Sequence, residues 1–346
     1  MSPRAHRIWL WAKRMAPWAL AALVLALVAQ QARTVEWPAV WASLQQMPAQ
    51  RLALAVAIAV LSYAVYAGFD LVGRRLTQHG LSVPRTLGTA AISYAFNLNF
   101  GALVGGFAMR LRLYTRWGLQ AATVAKVIAL SMATNWLGYL WVAGAVLLWS
   151  PPRLPASDWL PGAGSLRAIG AVMLALALVY LVLCARSKER TLRWRSHALP
   201  LPGGRLALLQ LATGGASWLL IASIVWVLFD GHVAYAVVLG ALLMAAVAGV
   251  ITHVPAGLGV LEAVFVATLS GTVPATEVLA VVLAYRAAYY LLPLVLALPA
   301  YLWSEAVARR GGGAARVATT GAQDGAQNDS REAPRARLQP RPTKGI

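Results

Sequence analysis

Charge is scarce in this chain and acidic charge scarcer still. Asp and Glu together number 11 of 346 residues, and both signs together make up 12%. Soluble domains carry about 25% charged residues, and a water-facing fold of this length needs that polar surface to cover its core. Cysteine occurs once, at Cys184 inside an apolar stretch, so no internal disulfide can form. CxxC, HExxH and Cys/His clusters are missing, which argues against a zinc site. GxxxxGKS/T is missing too, so no P-loop is available for nucleotide hydrolysis, and neither metal nor cofactor is expected. No paired carboxylates or His-based constellation supports a lipid-modifying enzyme, and a non-enzyme with no catalytic residues is expected.

What the chain has is apolar length. Sixty per cent of its residues are hydrophobic, and runs long enough to cross a hydrocarbon layer of about 30 Å, which takes about 20 residues, recur along it. They fall at 15–32, 51–70, 121–149, 166–184, 206–229, 233–252 and 277–303. The basic start MSPRAHRIWLWAKR resembles the n-region of a signal peptide, but ahead of so many later spans it reads as an uncleaved first transmembrane helix. The net charge of +19 has no compact basic domain with interleaved aromatics to carry it, so nucleic acid is not an expected partner.

The bases instead orient the chain. Arg74, Arg75, His79 and Arg85 follow the second span, and RSKERTLRWRSHALPLPGGR follows 166–184. Basic loops face the cytoplasm. The loop holding Pro151, Pro152, Pro155 and Asp158 is nearly free of bases and reads as external. The expectation is an all-α polytopic protein of the bacterial inner membrane with about eight crossings and both termini cytoplasmic. A membrane domain over 1–308 is followed by a basic tail, 309–346, whose Gly, Ala, Pro and Gln content predicts disorder.

Two apolar segments break the pattern, one in each half. LGTAAISYAFNLNFGALVGGFAM at 87–109 carries Asn97, Asn99, Gly101, Gly105 and Gly106. A full crossing there would strand Arg110, Arg112 and Arg116 outside, so a re-entrant hairpin turning at the Gly-Gly pair is expected. VPAGLGVLEAVFVATLSGT at 254–272 opens on Pro255, Gly257 and Gly259, leaving about 14 helical residues, or about 21 Å, for a short crossing. Paired Gly- or Pro-interrupted segments point to a transport site, although small residues also permit simple close packing.

Ionisable residues gather at the same two places. Arg286 lies near the middle of span 277–303, where a charge by default marks function. Glu262, one turn into the short helix, is its expected counter-ion, the alternative being a buried Glu that keeps its proton. Arg110 and Arg112 suit a phosphate, since guanidinium offers paired donors, or serve as ordinary cytoplasmic-side bases. Asp70 closes the second span, as a helix end or as a site residue, and Asn97 sits at the first break. Lys126 reads as a snorkelling interfacial base; Asn135, Trp136 and most of the other Trp read as packing or belt residues.

Several stretches carry a family likeness: SYAVYAGFDLVGRR at 62–75, SYAFNLNF at 93–100, VGGFAMRLRLYTRWGL at 104–119, SMATNWLGY at 131–139, HVPAGLGVLEAVF at 253–265 and LAYRAAYYLLPL at 283–294. Together they resemble the lysylphosphatidylglycerol synthetase transmembrane-region family, in its stand-alone bacterial inner-membrane branch, from about residue 7 to 305. The resemblance implies translocation of lipid, the task of this region in larger relatives. It does not imply lysyl transfer, for which this chain shows no domain. It also implies that Asp70, Arg110, Arg112, Glu262 and Arg286 are characteristic polar positions of the family.

The expected function is therefore a flippase or transporter without its own ATPase, acting on an anionic phospholipid such as phosphatidylglycerol, cardiolipin or a derivative. Expected substrate contacts are Arg110, Arg112, Glu262, Arg286, Asp70 and Asn97, with backbone breaks at Gly105, Gly106, Gly257 and Gly259. The alternative is a non-transporting subunit that presents lipid to a partner lipid-metabolic enzyme. Homo-oligomers are compatible with either.

Overall fold

The computed structural model describes residues 37–152, 162–187, 191–194, 197–200, 202–252 and 254–304. The chain divides into two units, Met1–Leu298 and Pro299–Ile346. All contacts below lie within the first unit; of the second, only the last helical residues through Ser304 are described. The first expected span, 15–32, and the tail with its boundary at 308 lie outside the described residues.

The helices follow in order: α1 (Trp37–Gln45), α2 (Ala49–Thr77), α3 (Val83–Phe100), a π-helical segment Ala102–Met109, α4 (Arg110–Arg116), α5 (Ala121–Trp149), α6 (Ala163–Arg186), α7 (Gly204–Leu228), α8 (Tyr235–Thr252), α9 (Val260–Leu269) and α10 (Ala275–Arg286). A π turn, Ala287–Leu291, continues α10, which stays helical to Ser304. Ends follow local chemistry. Gln78 takes a left-handed conformation (φ 53°) where α2 stops, and Pro84 sits in the first turn of α3, where its missing N–H costs no hydrogen bond.

Six helices are long and apolar enough to cross a membrane: α2, α5, α6, α7, α8 and Ala275–Ser304. These match the six long spans expected between 51 and 303, and the chain is a multi-pass membrane protein. The segment after Thr252 is a correction. Its helix α9 has ten residues, not about 14. At 1.5 Å per residue it is about 15 Å long, half a bilayer core. Residues 191–194 and 197–200, inside the basic loop, pair as a short antiparallel ribbon, Thr191 opposite Pro200 and Trp194 opposite His197. Hydropathy gave no sign of it.

α5 lies between α6 and α7, and α2 runs along α7. Close approach depends on glycine. A Cβ on Gly138 of α5 would overlap the backbone of Gly214 on α7, and one on Gly170 of α6 would lie 2.7 Å from the Gly144 carbonyl oxygen of α5. Small residues of this kind let helices touch in lipid, where hydrophobic exclusion supplies no drive. The main buried cluster joins α2, α3, α5, α7, α8, α9 and α10 through Phe69, Tyr94, Val142, Phe229, Leu242, Phe265 and Tyr289.

Candidate functional site

The first broken segment turns at Gly101 (φ 85°, ψ 168°), a conformation that favours glycine. This corrects the expected turn at the Gly-Gly pair. Gly105 and Gly106 have ordinary negative φ and lie inside the π-helical segment. Their role is close approach: a Cβ on Gly105 would overlap the backbone of Phe96 and Asn97, and one on Gly106 would lie 2.9 Å from Asn97 Oδ1. The chain thus doubles back onto the end of α3, and Asn97 is the surface against which the return arm rests.

The return arm delivers Arg110 to Asp70. Arg110 Nε lies 3.2 Å from Asp70 Oδ2, with side-chain exposures of 3% and 0%. Tyr114 donates its hydroxyl to the same Oδ2 at 2.7 Å, and Arg110 Nη2 reaches Ser131 Oγ at 3.3 Å. Arg110 also stands over the Tyr66 ring, 5.6 Å from its centroid. Asp70 is therefore no solvated helix end; it is wholly buried. Arg112, two residues on, is exposed and on another face of α4. The structure separates the two arginines that the sequence set side by side.

The second break lies between α8 and α9. Ala256, Gly257 and Gly259 have φ values of 57°, 58° and 77°. Left-handed backbone is cheap for glycine and costly for alanine. Arg286 holds this bend. Its Nε and Nη2 grip Glu262 at 2.6 and 3.1 Å, Nη1 donates to the Ala256 carbonyl at 3.0 Å, and Nη2 donates to the Gly257 carbonyl at 2.9 Å. The expected Arg286–Glu262 pairing is present. The two carbonyl bonds go beyond the expected pairing. They satisfy backbone acceptors that a bilayer cannot, so Arg286 is a strut of the bend as well as a charge.

Tyrosines connect the two pairs. Tyr66 stacks on Tyr94 with centroids 3.5 Å apart and 15° between planes. The Tyr94 hydroxyl meets that of Tyr289 at 3.0 Å, and Tyr289 meets Ser62 Oγ at 3.0 Å. Tyr289 stacks on Tyr285, whose ring contacts Tyr290, and Arg286 stands over Tyr290 at 5.3 Å. Asn99 donates to the Tyr290 carbonyl at 3.1 Å, tying the tip of the first hairpin to the π turn. Residue type alone does not mark these tyrosines as a network. The available signal was spacing: Tyr63 and Tyr66, and Tyr285 and Tyr289, recur at one helical turn and so share a face.

The heights of these contacts agree. Ser62 is 13 residues after the start of α2 and Tyr289 is 14 after the start of α10. Each is thus about 20 Å along its helix. Asp70 lies about 32 Å along α2 and Arg286 about 17 Å along α10. The polar line therefore runs from the middle of the bundle toward the end where α2 finishes. At the other end, Arg51 pairs with Asp230 at 2.6 Å beside an open cavity of 410 Å³ lined by Pro48, Leu54, Trp226 and Gly231. That cavity touches neither buried pair. Among the described residues no group of His, Cys, Asp and Glu could hold a metal ion.

Residues 15–297 match the model of the lysylphosphatidylglycerol synthase TM region. Inner membrane protein YbhN of Escherichia coli K12 is 38% identical over 308 residues, covering 89% of this chain and 96% of that protein. The uncharacterised protein slr0712 of Synechocystis is 33% identical over 75% of this chain and 80% of its own length. A phosphatidylglycerol lysyltransferase of Staphylococcus haemolyticus is 34% identical over 85 residues, which is 23% of this chain and 10% of that protein.

Proposed function

The chain belongs to the lysylphosphatidylglycerol synthase TM region family, and on that premise we propose that it moves an anionic phospholipid across the bacterial inner membrane. The supporting observation is a pair of arginine–carboxylate contacts, Arg110–Asp70 fully buried and Arg286–Glu262 partly so, each beside a broken helical hairpin and joined to the other by tyrosines. Buried charge in a membrane helix is costly and marks pathways for polar cargo. Irregular backbone at membrane depth belongs where a transport site is built. The partial match to a phosphatidylglycerol lysyltransferase makes phosphatidylglycerol, cardiolipin or a derivative the first substrate class to test.

In this mechanism the headgroup phosphate displaces Asp70 from Arg110, which offers two parallel donors to its oxygens. Lipid tails remain in the bilayer. Arg286 has one of its five N–H groups left after its four bonds, so it steadies the bend, while Arg110 carries the phosphate. Arg112 meets the headgroup at the surface of α4, and Asn97 fixes the hairpin. In this reading the first hairpin is re-entrant, and with the span at 15–32 and a crossing that α9 makes together with the bend before it and residues 270–274 after it, the chain makes eight crossings, with both termini cytoplasmic. The test is headgroup accessibility of fluorescent phosphatidylglycerol and cardiolipin in proteoliposomes, wild type beside Arg110→Gln and Arg286→Ala. Movement in wild type that both variants abolish supports translocation. A folded wild-type chain that leaves the probe on its original leaflet overturns it and favours lipid presentation to a partner enzyme.

A further inference from the structure

Asp70 is half satisfied. Its Oδ2 receives the Tyr114 hydroxyl and faces Arg110, while Oδ1 is buried and has no hydrogen-bond partner among the described residues. Arg110 Nε is in the same condition, close to the carboxylate but with no hydrogen bond of its own. An ionised carboxylate in a protein interior ordinarily fills its acceptor positions. Glu262 does: both of its oxygens are bonded to Arg286, and its side chain is 19% exposed.

The surroundings of Asp70 are well defined. α4 contributes Arg110 and Tyr114, α3 contributes the Thr86 carbonyl beside the Tyr114 hydroxyl, and α5 contributes Ser131 behind Arg110. From the end of α2 and the loop after it come Arg74 and His79, whose ring lies 6.2 Å from that of Tyr114. Among the described residues neither buried ring nitrogen of His79 has a hydrogen-bond partner.

We propose that Asp70 is a proton-binding site coupled to anion capture at Arg110: one proton enters at Oδ1 for each phosphate the arginine accepts. This rests on the lipid reading above. Charge balance requires it. At rest the pair sums to zero. A phosphate monoanion on Arg110 without a proton would leave Asp70 ionised, buried and unpaired, the arrangement that interiors tolerate least. With the proton, arginine, phosphate and neutral Asp70 again sum to zero, and the new O–H can donate. The coupling ion of the proposed transport is therefore a proton, held at Asp70 rather than at Glu262.

The measurement is calorimetric titration of the purified full chain in detergent with short-chain phosphatidylglycerol, in buffers of different ionisation enthalpy. Uptake near one proton per lipid is expected, with affinity falling about tenfold per pH unit wherever a full proton is taken up. Asp70→Asn is expected to bind with no uptake and a flat pH profile, and Asp230→Asn, at the opposite end, to keep the uptake. Lipid binding without proton uptake in wild type, or uptake persisting in Asp70→Asn, overturns the coupling and leaves the lipid reading standing. A sodium requirement in place of uptake overturns it as well. Inorganic phosphate run in parallel separates the sources: uptake with lipid alone supports the proposal, and uptake with phosphate alone removes its lipid premise. No binding of lipid at all removes that premise and the inference together. The wild-type proton count decides even where the variant fails to fold.

Discussion

The hydroxyls of Tyr94 and Tyr289 lie 3.0 Å apart, one on α3 and one on the π turn after α10. Through Tyr66 the first leads to Arg110, and through Tyr285 and Tyr290 the second leads to Arg286. Removing the Tyr289 hydroxyl strips a partner from both Tyr94 and Ser62. Tyr289→Phe is therefore expected to destabilise by about 1–3 kcal/mol, the cost of orphaned buried polar groups. Its lipid movement should fall as well, whereas a merely structural hydroxyl would change melting and spare the rate in the folded fraction. Thermal melting and proteoliposome assays on one preparation separate the two.

Arg286 makes four bonds that lysine cannot reproduce, because a point-charge ammonium lacks the planar fork. Arg286→Lys should cost nearly as much as Arg286→Ala, about 3–5 kcal/mol, since either leaves Glu262 and the bend carbonyls uncompensated. Chemical denaturation in detergent measures it. A lysine variant close to wild type in stability would mean that charge alone, and not the fork, holds the bend.

Gly105 and Gly88 make a matched pair. A Cβ at Gly105 meets the backbone of Phe96 and Asn97, while Gly88 has open space around it. Gly105→Ala should displace the return arm, separate Arg110 from Asp70 and lower the melting temperature. Gly88→Ala should be neutral or stabilising, alanine being the better helix former by about 1 kcal/mol. Equal behaviour of the two would contradict the close approach.

His79 is held below its ordinary range chiefly by burial, with Arg74 adding repulsion and Asp70 opposing it. A base with a depressed folded-state pKa binds fewer protons folded than unfolded, so stability rises with pH in that window. Lipid-free wild type should lose melting temperature as pH falls below about 6.5, the unfolded value. His79→Phe should flatten that slope.

Arg51 and Asp230 form a tight pair at the far end, but Asp230 is 68% exposed. Surface pairs contribute at most about 1 kcal/mol, and asparagine tolerates the left-handed backbone found at this position (φ 58°). Asp230→Asn should leave both melting and lipid movement near wild type. A large loss of movement would shift attention to the outer cavity.

Much of this architecture could be read in advance because a bilayer imposes a length rule. Six runs of apolar residues became six long helices, and two glycine-bearing interruptions became two bends. Glu262 and Arg286 were legible as partners because each stood alone in an apolar stretch. Asp70 was legible as a candidate but not as the partner of Arg110, because a place beside Arg74 and Arg75 suits a helix end equally well; only the doubling back at Gly101 brings Arg110 to bury it. The tyrosines were hidden for another reason. Aromatic residues in membrane proteins usually mark interfaces, and which ones turn inward depends on helix rotation, which packing fixes and composition does not. The ten-residue length of α9 depended on where the left-handed bend ended, a matter of backbone conformation that hydropathy does not register.

Arg286 follows the carbonyls it holds by 29 and 30 residues. During synthesis the bend and Glu262 therefore emerge ahead of the side chain that completes them. Until α10 enters, the nascent hairpin of α8 and α9 must keep its open acceptors against water or the insertion machinery. Insertion of α10 is thus a closing step in biogenesis, and a ribosome-bound chain halted before residue 286, carrying Val254→Cys in a Cys184→Ser background, should leave that introduced thiol open to water-soluble reagents that the finished protein, where position 254 is buried, excludes.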